Sequence, residues 1–146
     1  HFAGLQFRLQ FQRKGESAVD RDVRTQVIGR IPSLYGVSPE YLWSSSPDSA
    51  VFRHTENGKW FGVPMRVSAE KLPRLRETGT GGTEFVNILN LKCEPELAAA
   101  LAAGKRRIFP AYHMNKTHWI SVCLNGSVSE EELDSLIELS FELTGV

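Results

Sequence analysis

Asn57-Gly58 stands between two stretches of strand character, Ala50 to His54 and Lys59 to Val67. A tight turn that continues the right-handed twist of its flanking strands needs positive φ angles, and Asn and Gly adopt these at least cost. The spacing therefore predicts an antiparallel hairpin, which rules out an all-helical chain and supplies the first edge of a sheet. Asn125-Gly126 repeats the turn dipeptide directly after the apolar run Trp119 to Leu124. Pro64 lies inside the second hairpin arm and cannot donate to a ladder, so that arm is expected at a sheet edge or beside a bulge.

The remaining elements follow from periodicity. Leu5, Phe7, Leu9 and Phe11 alternate with polar residues, which predicts a strand with one wet face inside an N-terminal extension, residues 1–18, ahead of a domain over 19–146. Val19, Val23, Val27 and Ile31 recur at every fourth position, the mark of a helix face, and Pro32 is expected to close that helix near Arg30. Tyr35 to Trp43 reads as a connection packed on the core with Trp43 as an anchor. Ser68 to Arg76 is read as holding a single helical turn, Gly79 to Gly82 as a flexible loop and Glu84 to Leu91 as a strand. Glu94-Pro95-Glu96 opens a short helix that Gly104 ends. Ser129 and Glu132 have capping-box spacing ahead of a final helix whose stripe is Leu133, Leu136, Ile137, Ser140 and Leu143. These elements predict an α+β fold: an antiparallel sheet with helices packed on one face and the other face open.

A chain of 146 residues fits one domain. At 41% hydrophobic and 23% charged residues it has the composition of an ordinary globular protein, and no apolar run reaches bilayer-spanning length. Formal net charge is zero, but the sum hides segregation. Between Glu96 and Glu130 there is no carboxylate, while Lys105, Arg106, Arg107 and Lys116 fall in that span; from Glu130 onward there are six carboxylates and no Lys or Arg. Cys93 and Cys123 lie in apolar, unpaired contexts that predict buried free thiols. Nothing resembles a secretory signal and His1 stands where an initiator Met is expected, which points to a cytoplasmic protein and a trimmed or tagged start.

Phe109 to Trp119 carries the densest chemistry, with two histidines, a lysine, an asparagine and aromatic residues in one segment. Lys116 and Asn115 can donate to phosphate, His113 and His118 add further donors, and Trp119 can stack on a base. The same residues could instead satisfy buried backbone groups and fill the core. Arg53, His54, Lys59 and Trp60 flank the first turn as positive hairpin tips would, or form a solvated hairpin with Trp60 packed beneath. Lys105, Arg106 and Arg107 make a cationic run that also suits a helix C-terminus. The histidines and cysteines follow no closed zinc spacing, no nucleophile has a base beside it, and Gly79 to Gly82 lacks the Lys-Ser/Thr of a phosphate loop. Neither an enzyme, a metal site nor a cofactor is expected.

Longer motifs add a resemblance. Tyr41-Leu42-Trp43, Pro47-Asp48 with Ala50 to His54, Asn57 to Phe61, Asn90-Leu91-Lys92-Cys93 with Pro95-Glu96-Leu97, Pro110 to Lys116 with His118-Trp119, and Gly126-Ser127 together resemble the MmcQ/YjbR family over roughly residues 19–144. The resemblance implies a fold like that of the frataxin/CyaY group and DNA binding through paired hairpin wings. Frataxin-type iron binding is not implied, because Asp20 and Asp22 alternate with Arg21 and Arg24 rather than forming a carboxylate ridge. The expected function is contact with the phosphate backbone of DNA through Arg53, His54, Lys59, Trp60, Lys105, Arg106, Arg107, His113, Asn115, Lys116 and His118. The alternative is a protein-interaction or small-ligand module that uses the open sheet face. Monomer and homodimer both fit.

Overall fold

Along the strand Phe85–Lys92 the apolar residues are nearly continuous, so both faces of the sheet through it have to be covered. In the computed structural model, which describes residues 18–72, 85–104 and 107–145, this segment is the central strand. The elements in chain order are α1 (Ala18–Tyr35), β1 (Phe52–Arg53), β2 (Trp60–Ser68), a 3-10 turn (Ala69–Lys71), β3 (Phe85–Lys92), α2 (Pro95–Ala103), β4 (Ile108–Pro110), β5 (Trp119–Cys123) and α3 (Glu130–Thr144). The strands form a five-stranded antiparallel sheet in the order β1-β2-β3-β5-β4. The α+β architecture expected from the sequence is the one observed.

Leu89 and Leu91 of β3, Ile120 and Val122 of β5 and Phe61 of β2 turn to the helices. There they meet Val27 and Ile31 of α1, Ala98 of α2 and Leu133, Leu136 and Ile137 of α3. The opposite face is not bare: Val67, Ile88, Phe109 and Cys123 form a second, smaller core closed by Ala69 of the 3-10 turn and by Leu72, which caps it. The two thiols are free and buried.

Local differences from the expectations have physical causes. Helix α1 runs through Pro32 to Tyr35, because Ile31 is buried and Tyr35 packs edge-on against Phe61 and tilted against Phe141, so packing of the last turn outweighs the missing N–H. Gly36, at φ 67°, then ends it and donates to the Pro32 carbonyl. Strand β2 is interior rather than an edge. Pro64 is tolerated there because its carbonyl, on the side away from β3, accepts from Ala50 N beyond the end of β1.

The irregularity in the ladder lies earlier. Phe52 faces Gly62 while Arg53 faces Trp60, which leaves Phe61 as an extra residue. Its carbonyl is taken by the buried hydroxyl of Ser140, which also accepts from Lys92 N, so α3 is bolted to β2 and β3 at the bulge. The bulge turns Phe61 to the helices and Trp60 to the opposite face. Ser129 caps α3 by accepting from Glu132 N. The alternating segment at Leu5 to Phe11, the loop at Gly79 to Gly82, and Lys105 and Arg106 lie outside the described residues.

Candidate functional site

The strand order sorts the candidate residues by position. The turn between β1 and β2, the end of β3 at Lys92 and the loop 111–118 between β4 and β5 all emerge at one end of the sheet. Arg107 precedes β4 and its carbonyl accepts from Cys123 N, which puts it at the opposite end. The structure thus brings the hairpin and the histidine-lysine loop to one side and leaves Arg107 on the other.

The hairpin tip is docked rather than free. His54 Nε2 lies 3.0 Å from the Phe141 carbonyl and 2.9 Å from Thr144 Oγ1. Thr144 Oγ1 itself donates to Ser140 O at 2.7 Å, so His54 must supply the hydrogen and carries it on Nε2. Its ring stacks on Phe141 at 4.2 Å. Asn57 Nδ2 donates to Thr144 O at 2.8 Å, and Asn57 Oδ1 accepts from Lys59 N within the turn. Gly58, at φ 72°, supplies a positive backbone angle, whereas Asn57, expected to share it, does not and acts through its side chain. The tip therefore clamps the last turn of α3. Arg53 makes a two-pronged ion pair with Glu40, both contacts at 2.8 Å, and Lys59 is exposed.

Loop 111–118 is held from beneath by a buried polar pair that sequence reasoning did not single out. Asn90 and Ser121, both inaccessible to solvent, face each other across β3 and β5 and are hydrogen bonded. Ser121 Oγ accepts from Tyr112 N at 2.8 Å, and Asn90 Nδ2 donates to Tyr112 O at 3.1 Å. Both main-chain groups of Tyr112 are thus satisfied by the sheet itself, the role considered for His113 and Asn115. Asn115 instead closes an exposed turn, its Oδ1 accepting from Thr117 N and His118 N. Lys116 Nζ donates to Ala111 O at 2.6 Å. His113 and His118 are exposed, whereas Trp119 is buried under Lys92.

His113 has φ 61°, the one positive value on a non-glycine among the described residues, and its ring lies 3.9 Å from that of Tyr112. This side of the sheet holds a concavity of about 580 Å³ whose walls include Trp43, Trp60, Met65, Tyr112, His113 and Met114. Trp43 and Trp60 meet at right angles with centroids 5.9 Å apart. Trp43 is thus a half-buried cavity wall and not the core anchor expected. Trp60 reaches the cavity only because the bulge at Phe61 reverses the alternation. Ser45, Ser46, Ser49, Ser68, Arg66 and Lys71 complete its polar lining, and the lining has no carboxylate among the described residues.

The YjbR family profile matches residues 32–143. The chain belongs to the YjbR family. It is 44% identical over 121 residues to the uncharacterized protein YyaQ of Bacillus subtilis, covering 83% of this chain and 97% of that one. It is 35% identical over 54 residues to the uncharacterized protein YjbR of Escherichia coli K12, 37% of this chain and 46% of that one. A crystal structure of a Pseudomonas syringae protein superposes with TM-score 0.76 at 44% identity, covering 84% of this chain and 98% of that chain. A Deinococcus radiodurans structure of the DUF419 type, at 22% identity and TM-score 0.59 over 82% of this chain and 76% of that chain, shares the fold. The matched range takes in every cavity residue named above, along with the hairpin and loop 111–118. Among the described residues no group of three or more His, Cys, Asp or Glu is placed to hold a metal ion, and no helix is long and apolar enough to cross a membrane.

Proposed function

We propose that this YjbR-family chain is a binding module whose ligand is a small molecule held in the cavity between Trp43, Trp60 and the Tyr112-His113-Met114 segment. The cavity itself carries the reading. Its volume of about 580 Å³ lies inside the roughly 300–1,000 Å³ range of small-ligand sites. Its make-up, aromatic and thioether walls with a few polar groups, is that of such sites rather than of a phosphate-tracking groove. Binding rather than catalysis is proposed, since no nucleophile with an adjacent base is seen among the described lining. The test is saturation-transfer NMR with a mixture of aromatic fragments: signals are expected with the native chain and lost with Trp60→Leu. Fragments that bind equally well after that substitution would remove the cavity from consideration.

DNA contact is the second reading, favoured by one observation: the hairpin tip, Lys92 and loop 111–118 share one end of the sheet. Its electrostatics are weaker than the charge pattern of the sequence suggests. Arg53 is neutralised by Glu40, Glu56 and Glu94 flank the same end, and Arg107 is at the other. A duplex-binding titration against salt separates the readings. Backbone contact requires affinity to fall steeply as salt rises and to weaken in the Arg53→Ala, Lys116→Ala double variant.

A further inference from the structure

We infer that the cavity selects a flat aromatic molecule bearing an anionic group, with its ring toward Trp43 and Trp60 and its charge toward Lys71. The inference rests on the cavity being a ligand site and goes on to name the ligand's chemistry.

Shape is the first argument. The walls at the Trp60 end suit a plate. The perpendicular indoles of Trp43 and Trp60 offer one ring a face and an edge together, and the Met65 and Met114 thioethers are soft partners for a ring edge.

Charge is the second argument. Besides Tyr112 and His113 on the loop wall, the ionisable lining side chains are the cations Arg66 of β2 and Lys71 of the 3-10 turn. Arg66 is engaged with the Phe85 ring, its guanidinium carbon 4.3 Å from the centroid. Lys71, in the 3-10 turn that follows β2, is exposed and lines the same cavity. A cationic ligand would meet like charge along this wall, and a neutral one would leave the Lys71 end unused. An anion placed there completes the set.

The loop residue His113 fits the same design. It keeps a left-handed backbone angle while its ring braces Tyr112, whose own main chain is pinned by Asn90 and Ser121. The aromatic wall is therefore set before any ligand arrives.

The test uses the full chain with two fluorescent probes of one shape, anilinonaphthalene sulfonate and its neutral parent phenylnaphthylamine. Both probe emission and tryptophan quenching are followed, and melting curves confirm that each variant is folded. The sulfonate is expected to bind about fivefold more tightly than the neutral parent, and Lys71→Gln to abolish that difference while leaving the neutral probe unchanged. Trp60→Leu should weaken both. Equal binding of the two probes, or indifference of the sulfonate to Lys71→Gln, overturns the anion assignment while the cavity still stands as a site. Binding of neither probe, or binding that survives Trp60→Leu, overturns the cavity reading itself. Displacement of the sulfonate by a thymidine homopolymer single strand, lost with Trp60→Leu, would assign the aromatic corner to nucleic-acid bases instead.

Discussion

Replacing His54 by alanine distinguishes an anchoring residue from a nucleic-acid contact. The substitution removes one N–H shared between the Phe141 carbonyl and Thr144 Oγ1, at 3.0 and 2.9 Å. Such a bond contributes about 1 kcal/mol net. It also removes a ring stacked on Phe141 at 4.2 Å and tilted against Phe61 at 5.2 Å, worth about 0.5–1.5 kcal/mol beyond burial. Thr144 keeps its own bond to Ser140, so no buried donor is orphaned. The expected loss is about 2 kcal/mol, or roughly 4–8 °C in Tm for a chain of this size. Urea unfolding followed by circular dichroism measures it, with Asn57→Ala as companion. Because His54 and Asn57 hold the same last turn of α3, the double variant should lose less than the sum of the singles. A loss below about 0.5 kcal/mol with an unchanged denaturant slope would refute the clamp and leave His54 free to contact a ligand.

Other substitutions probe the remaining contacts. Glu40→Ala should cost less than about 1 kcal/mol by urea unfolding, because its pair with Arg53 is largely exposed. His113→Gly should leave stability unchanged or raise it by up to about 1 kcal/mol as backbone strain is relieved, while it weakens aromatic-probe binding by freeing Tyr112. Burial first, then the charges of Glu138, Asp134 and Glu142, push the Tyr35 phenol above its usual 10.0. The native state then keeps a proton that the unfolded chain loses, so stability should fall as pH rises past about 10, and Tyr35→Phe should flatten that fall in alkaline melts. Burial and the neighbouring Glu94 carboxylate raise the Cys93 thiol. Iodoacetamide should therefore leave Cys93 largely unmodified in the native protein at pH 7 and label it once urea unfolds the chain, as read by mass spectrometry.

Local signals carried their information where the physics is local. The Asn57-Gly58 turn, the Pro95 start and Gly104 end of α2 and the Ser129 cap each depend on backbone angles or bonds within a few residues, and each is found where the sequence placed it. Pro32 misled because the burial of Ile31 and the ring packing of Tyr35, contacts with distant elements, carry α1 past the proline. The candidate residues were legible as a group of polar and aromatic side chains, yet their partners were not. That His54 faces α3, that Arg53 faces Glu40 and that Asn90 and Ser121 hold Tyr112 are pairings between residues far apart in the chain.

The amino-acid order alone determined the kind of fold, since periodicity and turn chemistry act over a few residues and leave little choice between helix and strand. It also determined the family. Tertiary structure decided which side chains share a surface. One extra residue at Phe61 reverses the alternation of β2 and sends Trp60 to the cavity face, where it meets Trp43, and strand order carries Arg107 to the far end of the sheet from Lys59 and Lys116. Alternation specifies two faces but not where a bulge exchanges them, and charge along a chain does not specify charge across a sheet.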